Sequence, residues 1–171
     1  MGLFNKLLSS VPSFFDSEED PPYFPALSAG NYAAALPLIN EAVKQGDPHA
    51  MAVLGAMYGM GYGVERDLSE ALLWFRQAAV RGDLFAQTAL GTCLKNGRGI
   101  EKDHQEAAYW LYKAASSGTR VAASILAELV MEDSSVVGKY FTTEDVGRLV
   151  MAARKSVGSK QDGNTGTDRY H

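Results

Sequence analysis

The sequence predicts an all-α fold: a right-handed α-solenoid, or α-α superhelix, of stacked antiparallel helix pairs. Three observations predict it: an internal repeat, apolar residues at helical spacing within each unit, and capping residues at matched positions. Aligning residues 46–81 with 82–117 makes fourteen of 36 positions identical without a gap. A period of this length is typical of chains in which each unit forms one helical hairpin that stacks on its neighbour.

The repeat register also predicts how the chain is divided. Residues 1–25 are expected to form an N-terminal cap and acidic linker, and the polar, glycine-containing residues 158–171 a disordered tail. Residues 26–157 are the predicted repeat domain, composed of whole units at 46–81 and 82–117, half units at 30–45 and 118–131, and a terminal helix at 142–157.

The first helix of each whole unit begins at an aspartate. Asp47 is followed by Pro48, and a proline is tolerated in the first helical turn because its missing N–H would be unpaired there. Gly55 and Gly91 then recur in helix interiors, where glycine costs about 1 kcal/mol relative to alanine. Their recurrence predicts a partner helix close enough to exclude a Cβ atom.

The second helix of each unit is marked by Asp67 and Asp103, each with a glutamate three residues later, an acidic version of the capping box. Trp74 and Trp110 occupy matched positions of the apolar stripe and are predicted to be core residues. A left-handed glycine is expected to end this helix, at Gly82 and again at the equivalent position 118. The terminal helix is expected to begin behind a cap at Thr142 or Thr143.

The residues of the repeat resemble those of the Sel1-like repeat family, which is related to the tetratricopeptide repeat. The similarity covers about residues 30–130 and rests on three motifs at the 36-residue register. They are Ala-x-x-x-Leu-Gly at 50–55 and 86–91, Gly-x-Gly-Val/Ile-x-x-Asp at 61–67 and 97–103, and Ala-x-x-Trp-x-x-x-Ala-Ala at 71–79 and 107–115.

That resemblance implies an α-solenoid that holds proteins together as an adaptor, a scaffold or an inhibitor. In bacteria such repeats also occur as immunity proteins beside secreted toxins. Some family members carry paired cysteines and are linked to penicillin binding or β-lactamase activity. Cys93 is the single cysteine of this chain, so it departs from those members. A hydrolase of the penicillin-recognising kind is kept as the alternative function.

Composition narrows the classes of partner and cofactor. The formal net charge of −4 argues against a nucleic-acid partner, because phosphate-binding surfaces are basic. One cysteine and three histidines without ligand spacing predict no metal site and no cofactor. No secretory signal or membrane-spanning run is evident, so a cytoplasmic location is expected. Association of two copies through the half-unit ends stays open.

The first residues carry an apolar stripe at helical spacing. It consists of Leu3, Phe4, Leu7, Leu8 and Val11. A short helix that covers a neighbouring apolar surface is the favoured interpretation. A membrane-surface anchor is disfavoured because Lys6 is the only basic residue in this stretch.

No pattern typical of an active site emerges, so the chain is predicted not to be an enzyme. His104 lies between Asp103 and Glu106 at a helix start and is interpreted as a solvated terminal residue rather than a general base. The glycines at 59–63 lack the Gly-Lys-Ser/Thr of a phosphate loop and are assigned to a turn. Cys93 is interpreted as a small buried hydrophobic residue.

The predicted functional surface is the concave side of the solenoid, lined by the first helix of each unit. It is expected to bind another protein, for instance a toxin or a secretion-system effector, with Phe85 and the methionines as exposed apolar anchors. By analogy with tetratricopeptide grooves, the predicted contact residues are His49, Ala52, Ala56, Met60, Phe85, Thr88, Thr92, Lys95, Asn96, Val121, Ser124, Glu128, Met131 and Glu132.

Overall fold

The computed structural model describes residues 20–158, and this part of the chain is helical without a strand. Consecutive helices pack against each other as antiparallel neighbours, which confirms the predicted α-solenoid. The helices are α1 (Phe24–Ser28), α2 (Tyr32–Lys44), α3 (Pro48–Met60), α4 (Leu68–Val80), α5 (Leu84–Asn96), α6 (His104–Ser116), α7 (Arg120–Glu132), a 3₁₀ turn (Ser134–Val136) and α8 (Thr143–Gly158).

Aspartate caps start the four helices of the two whole units, as the sequence predicts. Asp47 Oδ1 accepts from the backbone N–H of His49 at 2.8 Å, and Asp67 Oδ1 accepts from the N–H of Ser69 at 2.8 Å. Asp83 and Asp103 repeat these caps one unit later. Each cap satisfies N–H groups that have no partner inside the helix, so the unit boundaries are fixed locally.

The backbone N–H groups of both second-helix caps donate to carbonyl oxygens of the preceding helix, so the glutamates do not complete the predicted capping boxes. Glu106 instead links two helices. Glu106 Oε2 accepts from Arg76 at 3.0 Å, and its Oε1 accepts from the indole N–H of Trp110 at 3.2 Å. The carboxylate therefore joins α4 of one unit to α6 of the next. Trp110 is buried in the core, whereas Trp74 is only partly buried against it.

Interior glycines hold the two helices of each unit close together, as predicted. A Cβ atom on Gly91 would lie 2.7 Å from Leu111 Cγ and 3.2 Å from the carbonyl oxygen of Ala107. A Cβ on Gly55 would lie 3.1 Å from the carbonyl oxygen of Ala71, the residue equivalent to Ala107. Because the glycines have no Cβ, α4 packs closely on α3 and α6 packs closely on α5. This close packing offsets the poor helix propensity of glycine.

A second pair of glycines locks each unit onto the one before it. A Cβ on Gly99 would lie 2.7 Å from Leu68 Cβ, and a Cβ on Gly63 would lie 2.8 Å from Tyr32 Cβ. The second contact repeats the first one unit later, because Gly99 follows Gly63, and Leu68 follows Tyr32, by 36 residues. The hairpin loop of each unit therefore rests on the start of the preceding second helix.

The N-terminal boundary needs a correction. The division predicted between residues 25 and 26 falls inside α1, and Tyr23 belongs to the core with an exposed fraction of 1%. Leu27 is buried beside it in the same continuous hydrophobic cluster. Apolar side chains on the first described turn thus extend the core beyond the predicted start of the repeat domain.

The C-terminal helix α8 closes the other end. Thr142 Oγ1 accepts from the backbone N–H of Asp145 at 3.1 Å, and Asp145 Oδ2 accepts from the N–H of Thr142 at 2.8 Å, so Thr142 is the cap. Phe141 stacks on Tyr112 with ring centroids 4.9 Å apart, which attaches this end to α6.

Three predictions concern residues that lie mostly outside the described range. The apolar stripe at residues 3–11 and most of the acidic linker precede residue 20. All of the predicted tail except its first residue follows Gly158, the last residue of α8. Within residues 20–158, every helix is too short or too polar to cross a lipid bilayer.

Candidate functional site

The first helices α3, α5 and α7 lie in one row and supply the predicted contact residues. Residues 36 apart occupy equivalent positions on this row, so Ala56, Thr92 and Glu128 form one series. We call this row of side chains the first-helix surface. It comprises the fourteen residues His49, Ala52, Ala56, Met60, Phe85, Thr88, Thr92, Lys95, Asn96, Val121, Ser124, Glu128, Met131 and Glu132.

The structure brings three of these residues into direct contact. Lys95 Nζ lies 2.7 Å from Glu132 Oε1 and 3.7 Å from Glu128 Oε2. The lysine side chain is only 10% exposed, whereas that of Glu128 is 64% exposed. We call Lys95, Glu128 and Glu132 the ion-pair cluster. It joins α5 to α7 and carries a formal charge of −1, because two carboxylates surround one ammonium group.

The sequence prediction placed Lys95, Glu128 and Glu132 on the same surface but did not pair them. Lys95 and Glu132 are 37 residues apart, one unit plus one residue. First-helix side chains separated by one repeat length lie on neighbouring first helices. The repeat register could therefore have predicted that Lys95 and Glu132 are neighbours.

Around the ion-pair cluster, the surface stays open to solvent on α7. Val121 and Ser124 are exposed, and Met131 is 87% exposed. Asn96 is exposed at the end of α5, and the Thr92 hydroxyl donates to the carbonyl oxygen of Thr88 at 2.7 Å. This part of the first-helix surface combines two carboxylates with two apolar side chains, a composition suited to contact with another macromolecule.

Four predicted contact residues are buried, and their assignment to an accessible surface is wrong. Phe85 is 4% exposed because its ring packs edge-to-face on Phe75, with centroids 6.0 Å apart. Ala52, Ala56 and Thr88 are buried as well. The Thr88 hydroxyl donates to the carbonyl oxygen of Leu84 at 2.8 Å, so its hydrogen bond stays within the helix. His49 and Met60 are partly buried.

His49 belongs to a polar group at the starts of α3 and α5. Its Nδ1 lies 3.2 Å from Oδ2 of Asp83, the cap of α5. Tyr23 is buried beside this group, and burial, followed by the nearby charges of Asp47 and Asp83, raises the pKa of its phenol. Adjacent units are therefore joined here by a side-chain contact that the sequence prediction did not anticipate.

His104 is in contact with Asp133 and not simply solvated. Its Nδ1 lies 2.9 Å from Asp133 Oδ2, and the Ser135 hydroxyl donates to Asp133 Oδ1 at 2.6 Å. A serine nucleophile needs a base that accepts its proton, normally an imidazole within hydrogen-bond reach. Here the carboxylate accepts from the serine, so the three side chains join α6 to the turn after α7 rather than form a catalytic triad.

Acid is expected to destabilise this junction through Asp133. The hydrogen bond from the Ser135 side chain, followed by that from His104, lowers the pKa of Asp133. In the unfolded chain the carboxyl titrates near its ordinary value of about 3.9 and binds the proton more readily. The stabilisation is therefore complete above that pH and is lost as the pH falls through the folded-state value.

The measurement is the melting temperature as a function of pH for the wild type and for Asp133→Asn, which keeps an oxygen acceptor but removes the charge. We expect the variant to melt lower at about pH 6 and the two curves to converge well below about pH 3.9. A difference that stays constant through this range would contradict the assignment.

The thiol of Cys93 is partly buried. Burial raises the pKa of the Cys93 thiol, opposed by the weaker influence of Arg98, so the unreactive thiol form is favoured. Among residues 20–158, no three His, Cys, Asp or Glu side chains are placed to hold a metal ion.

Comparison with known proteins identifies the repeat. The family model of the Sel1 repeat matches residues 48–83 and 84–119, two residues later than the units assigned from the sequence. A Sel1 repeat protein from Oxalobacter formigenes is 31% identical, with a TM-score of 0.66 over 78% of this chain. No curated protein matches the chain.

A second solved structure shows the same fold at lower identity. It is a protective antigen present in uropathogenic Escherichia coli strains that displays an SLR fold, 24% identical, with a TM-score of 0.63 over 91% of this chain. The present chain spans 55% of the Oxalobacter protein and 31% of the Escherichia coli antigen.

Proposed function

Because the chain carries two Sel1 repeats in the fold of Sel1 repeat proteins, we propose that it binds a partner protein on the part of the first-helix surface formed by α5 and α7. Sel1 repeats generally mediate contacts between proteins and typically act as non-catalytic scaffolds. The proposed role is that of an adaptor, or of an inhibitor such as an immunity protein that covers a toxin.

The observation that carries this proposal is the ion-pair cluster with its exposed surroundings. The nearly buried ammonium group of Lys95 balances the charge of one of the two carboxylates. The side chains of Glu128 and Glu132 remain more than half exposed to solvent. The residual negative charge favours a basic group on the partner, through charge complementarity that also speeds association. An inhibitor that covers a basic catalytic cleft would use the same arrangement.

Exposed apolar side chains supply the rest of the proposed contact. Met131 and Val121 lie on the same helix as the two glutamates. Methionine adapts its shape to irregular surfaces, so Met131 is suited to act as an anchor. The backbone of α7 is held by its packing on α6 and α8, so little conformational entropy is lost there on binding.

Replacing the two glutamates by glutamine tests the proposal. In the Glu128→Gln/Glu132→Gln variant we expect about tenfold weaker binding, about 1.4 kcal/mol, because the basic group of the partner loses its counter-charge. The partner is first identified by affinity purification of the tagged full chain. Its affinity is then measured by calorimetry at low and at moderate salt.

The matched control changes two exposed carboxylates in the hairpin loops, Glu65→Gln/Glu101→Gln, and alters the net charge by the same amount. Its affinity should equal that of the wild type. Equal weakening by both variants would indicate a general charge effect, and unchanged binding of Glu128→Gln/Glu132→Gln would exclude the ion-pair cluster from the interface.

A further inference from the structure

A cluster of aromatic rings and lysines lies on α6 and on the segment before α8, outside the first-helix surface. The ring centroids of Tyr109 and Trp110 are 5.0 Å apart, and that of Tyr140 lies 5.1 Å from Tyr109. Lys113 Nζ lies 5.4 Å from the ring centroid of Trp110, and Nζ of the exposed Lys139 lies 4.9 Å from that of Tyr140. We call these five residues the aromatic–lysine patch.

The aromatic–lysine patch faces away from α5 and is open to solvent. Leu111 marks the side of α6 that packs on α5, since a Cβ on Gly91 would touch it. Tyr109 and Lys113 are each two residues from Leu111, so they point about 160° away from it around the helix axis. Tyr109 and Lys113 are only partly buried, and Tyr140 is 43% exposed. A ligand can therefore reach these side chains without any rearrangement of the helices.

The helical repeat does not account for the composition of the patch. The preceding unit forms the same helix with Leu73 and Gln77 at the positions of Tyr109 and Lys113. Leu73 is 55% exposed, and Gln77 is exposed as well. The fold thus needs neither an aromatic nor a basic side chain at these two positions. Their presence on α6 indicates contact with a ligand, because accessible aromatic surface is typical of binding sites.

The two lysines of the patch have no carboxylate partner in the described part of the chain. Neither Lys113 Nζ nor Lys139 Nζ has a carboxylate oxygen within 4 Å there, whereas Lys95 Nζ has two. The hydrogen bond of the Tyr140 side chain, followed by the weaker charge of Asp103, raises the pKa of Lys139, so its ammonium form is favoured. A ring face attracts an ammonium group from one side, which leaves N–H donors of that group for an anion.

A short acidic peptide segment fits this combination of charge and aromatic surface. Its Asp or Glu side chains would accept from the lysine N–H groups, and a neighbouring apolar side chain would pack on the tyrosine rings. An anionic membrane fits less well, because it would face a broad area of a molecule whose formal net charge is −4. A short segment contacts the patch alone, and charges farther away than about 10 Å are largely screened at ordinary salt.

We propose that the aromatic–lysine patch is a second binding site, which takes an acidic segment of a partner protein with an aromatic or aliphatic residue beside its carboxylates. The patch lies on α6 and the segment before α8, whereas the ion-pair cluster lies on α5 and α7, and the two sites select opposite charges. One chain can thus bind a basic group and an acidic segment at the same time. This inference goes beyond the proposed function and does not depend on it, because different substitutions remove the two sites.

The test selects the peptide by its affinity. A displayed library of short random peptides is selected on the full chain, and fluorescence anisotropy then measures the affinity of the selected peptides. We expect enrichment of Asp and Glu beside aromatic residues or leucine. Lys113→Gln/Lys139→Gln should weaken binding about tenfold, because two charge contacts are lost. Tyr140→Ala should weaken it as well, whereas Tyr140→Phe keeps the ring and should retain most of the affinity.

Two matched variants separate the outcomes. Lys44→Gln/Lys102→Gln removes the same two positive charges from exposed positions elsewhere and should leave peptide binding unchanged. Glu128→Gln/Glu132→Gln should also leave it unchanged, which distinguishes failure of this site from failure of the proposed function. Selected peptides without acidic residues, or equal weakening by both lysine variants, would overturn the proposal. It would also be overturned if no peptide bound and the two patch lysines instead bound the chain to phosphatidylserine vesicles, since the ligand would then be a membrane.

Discussion

Phe85→Ala is expected to lower the free energy of unfolding by about 3–5 kcal/mol, because truncating a buried aromatic ring removes its packing and leaves a cavity. Phe85 is 4% exposed and packs on Phe75, which in turn lies against Gly55. The ring thus connects α5 to both helices of the preceding unit. Urea unfolding followed by circular dichroism measures the change.

Val121→Ala is the matched control, because Val121 is equivalent to Phe85 in the next unit and is 39% exposed. Its effect should be below about 1 kcal/mol, since partly exposed positions lose little when truncated. An equally small effect of Phe85→Ala would show that this ring is accessible, as the sequence alone suggested.

Gly99→Ala is the second change with a large expected effect. The φ angle of Gly99 is +72°, a left-handed conformation that costs a residue with a Cβ about 1–2 kcal/mol. The new Cβ would also lie 2.7 Å from Leu68 Cβ, and overpacking of this kind costs a further 1–3 kcal/mol or so. Thermal and urea unfolding should both report the loss.

Gly30→Ala isolates the second contribution. Gly30 has the same φ of +72°, and a Cβ there meets nothing within 4 Å. This variant should lose only the conformational cost of about 1–2 kcal/mol. If the two variants were equally destabilised, the contact between the hairpin loop and Leu68 would not contribute to stability.

The features that could be predicted from the sequence are those set by local chemistry or by the repeat itself. Asp47 and Asp83 cap helices through their own neighbours, so their positions reveal helix starts directly. Gly55 and Gly91 recur at one register, and recurrence at a costly position indicates a packing constraint. Both kinds of inference need no knowledge of how one helix is oriented relative to another.

The missed features depend on that relative orientation. The accessible side of α5 was assigned by analogy with tetratricopeptide grooves, which cannot show that Phe75 reaches Phe85 from the preceding helix. Lys95 of α5 lies close to both Glu128 and Glu132 of α7, and the spacing of residues within one helix cannot show that contact. His104 meets Asp133 where the chain leaves the 36-residue register after α7, so the repeat carried no signal for it.

The contacts of Gly63 with Tyr32 and of Gly99 with Leu68 also constrain how such a chain can change in length. Each hairpin loop is seated on the residue that starts the previous second helix. Inserting a whole 36-residue unit would reproduce the packing of the loop glycine on that residue without any new kind of contact. An insertion of a few residues between a helix cap and its loop would instead move the glycine away from the helix start on which it packs. The chain can therefore lengthen by duplication of whole units without losing this contact.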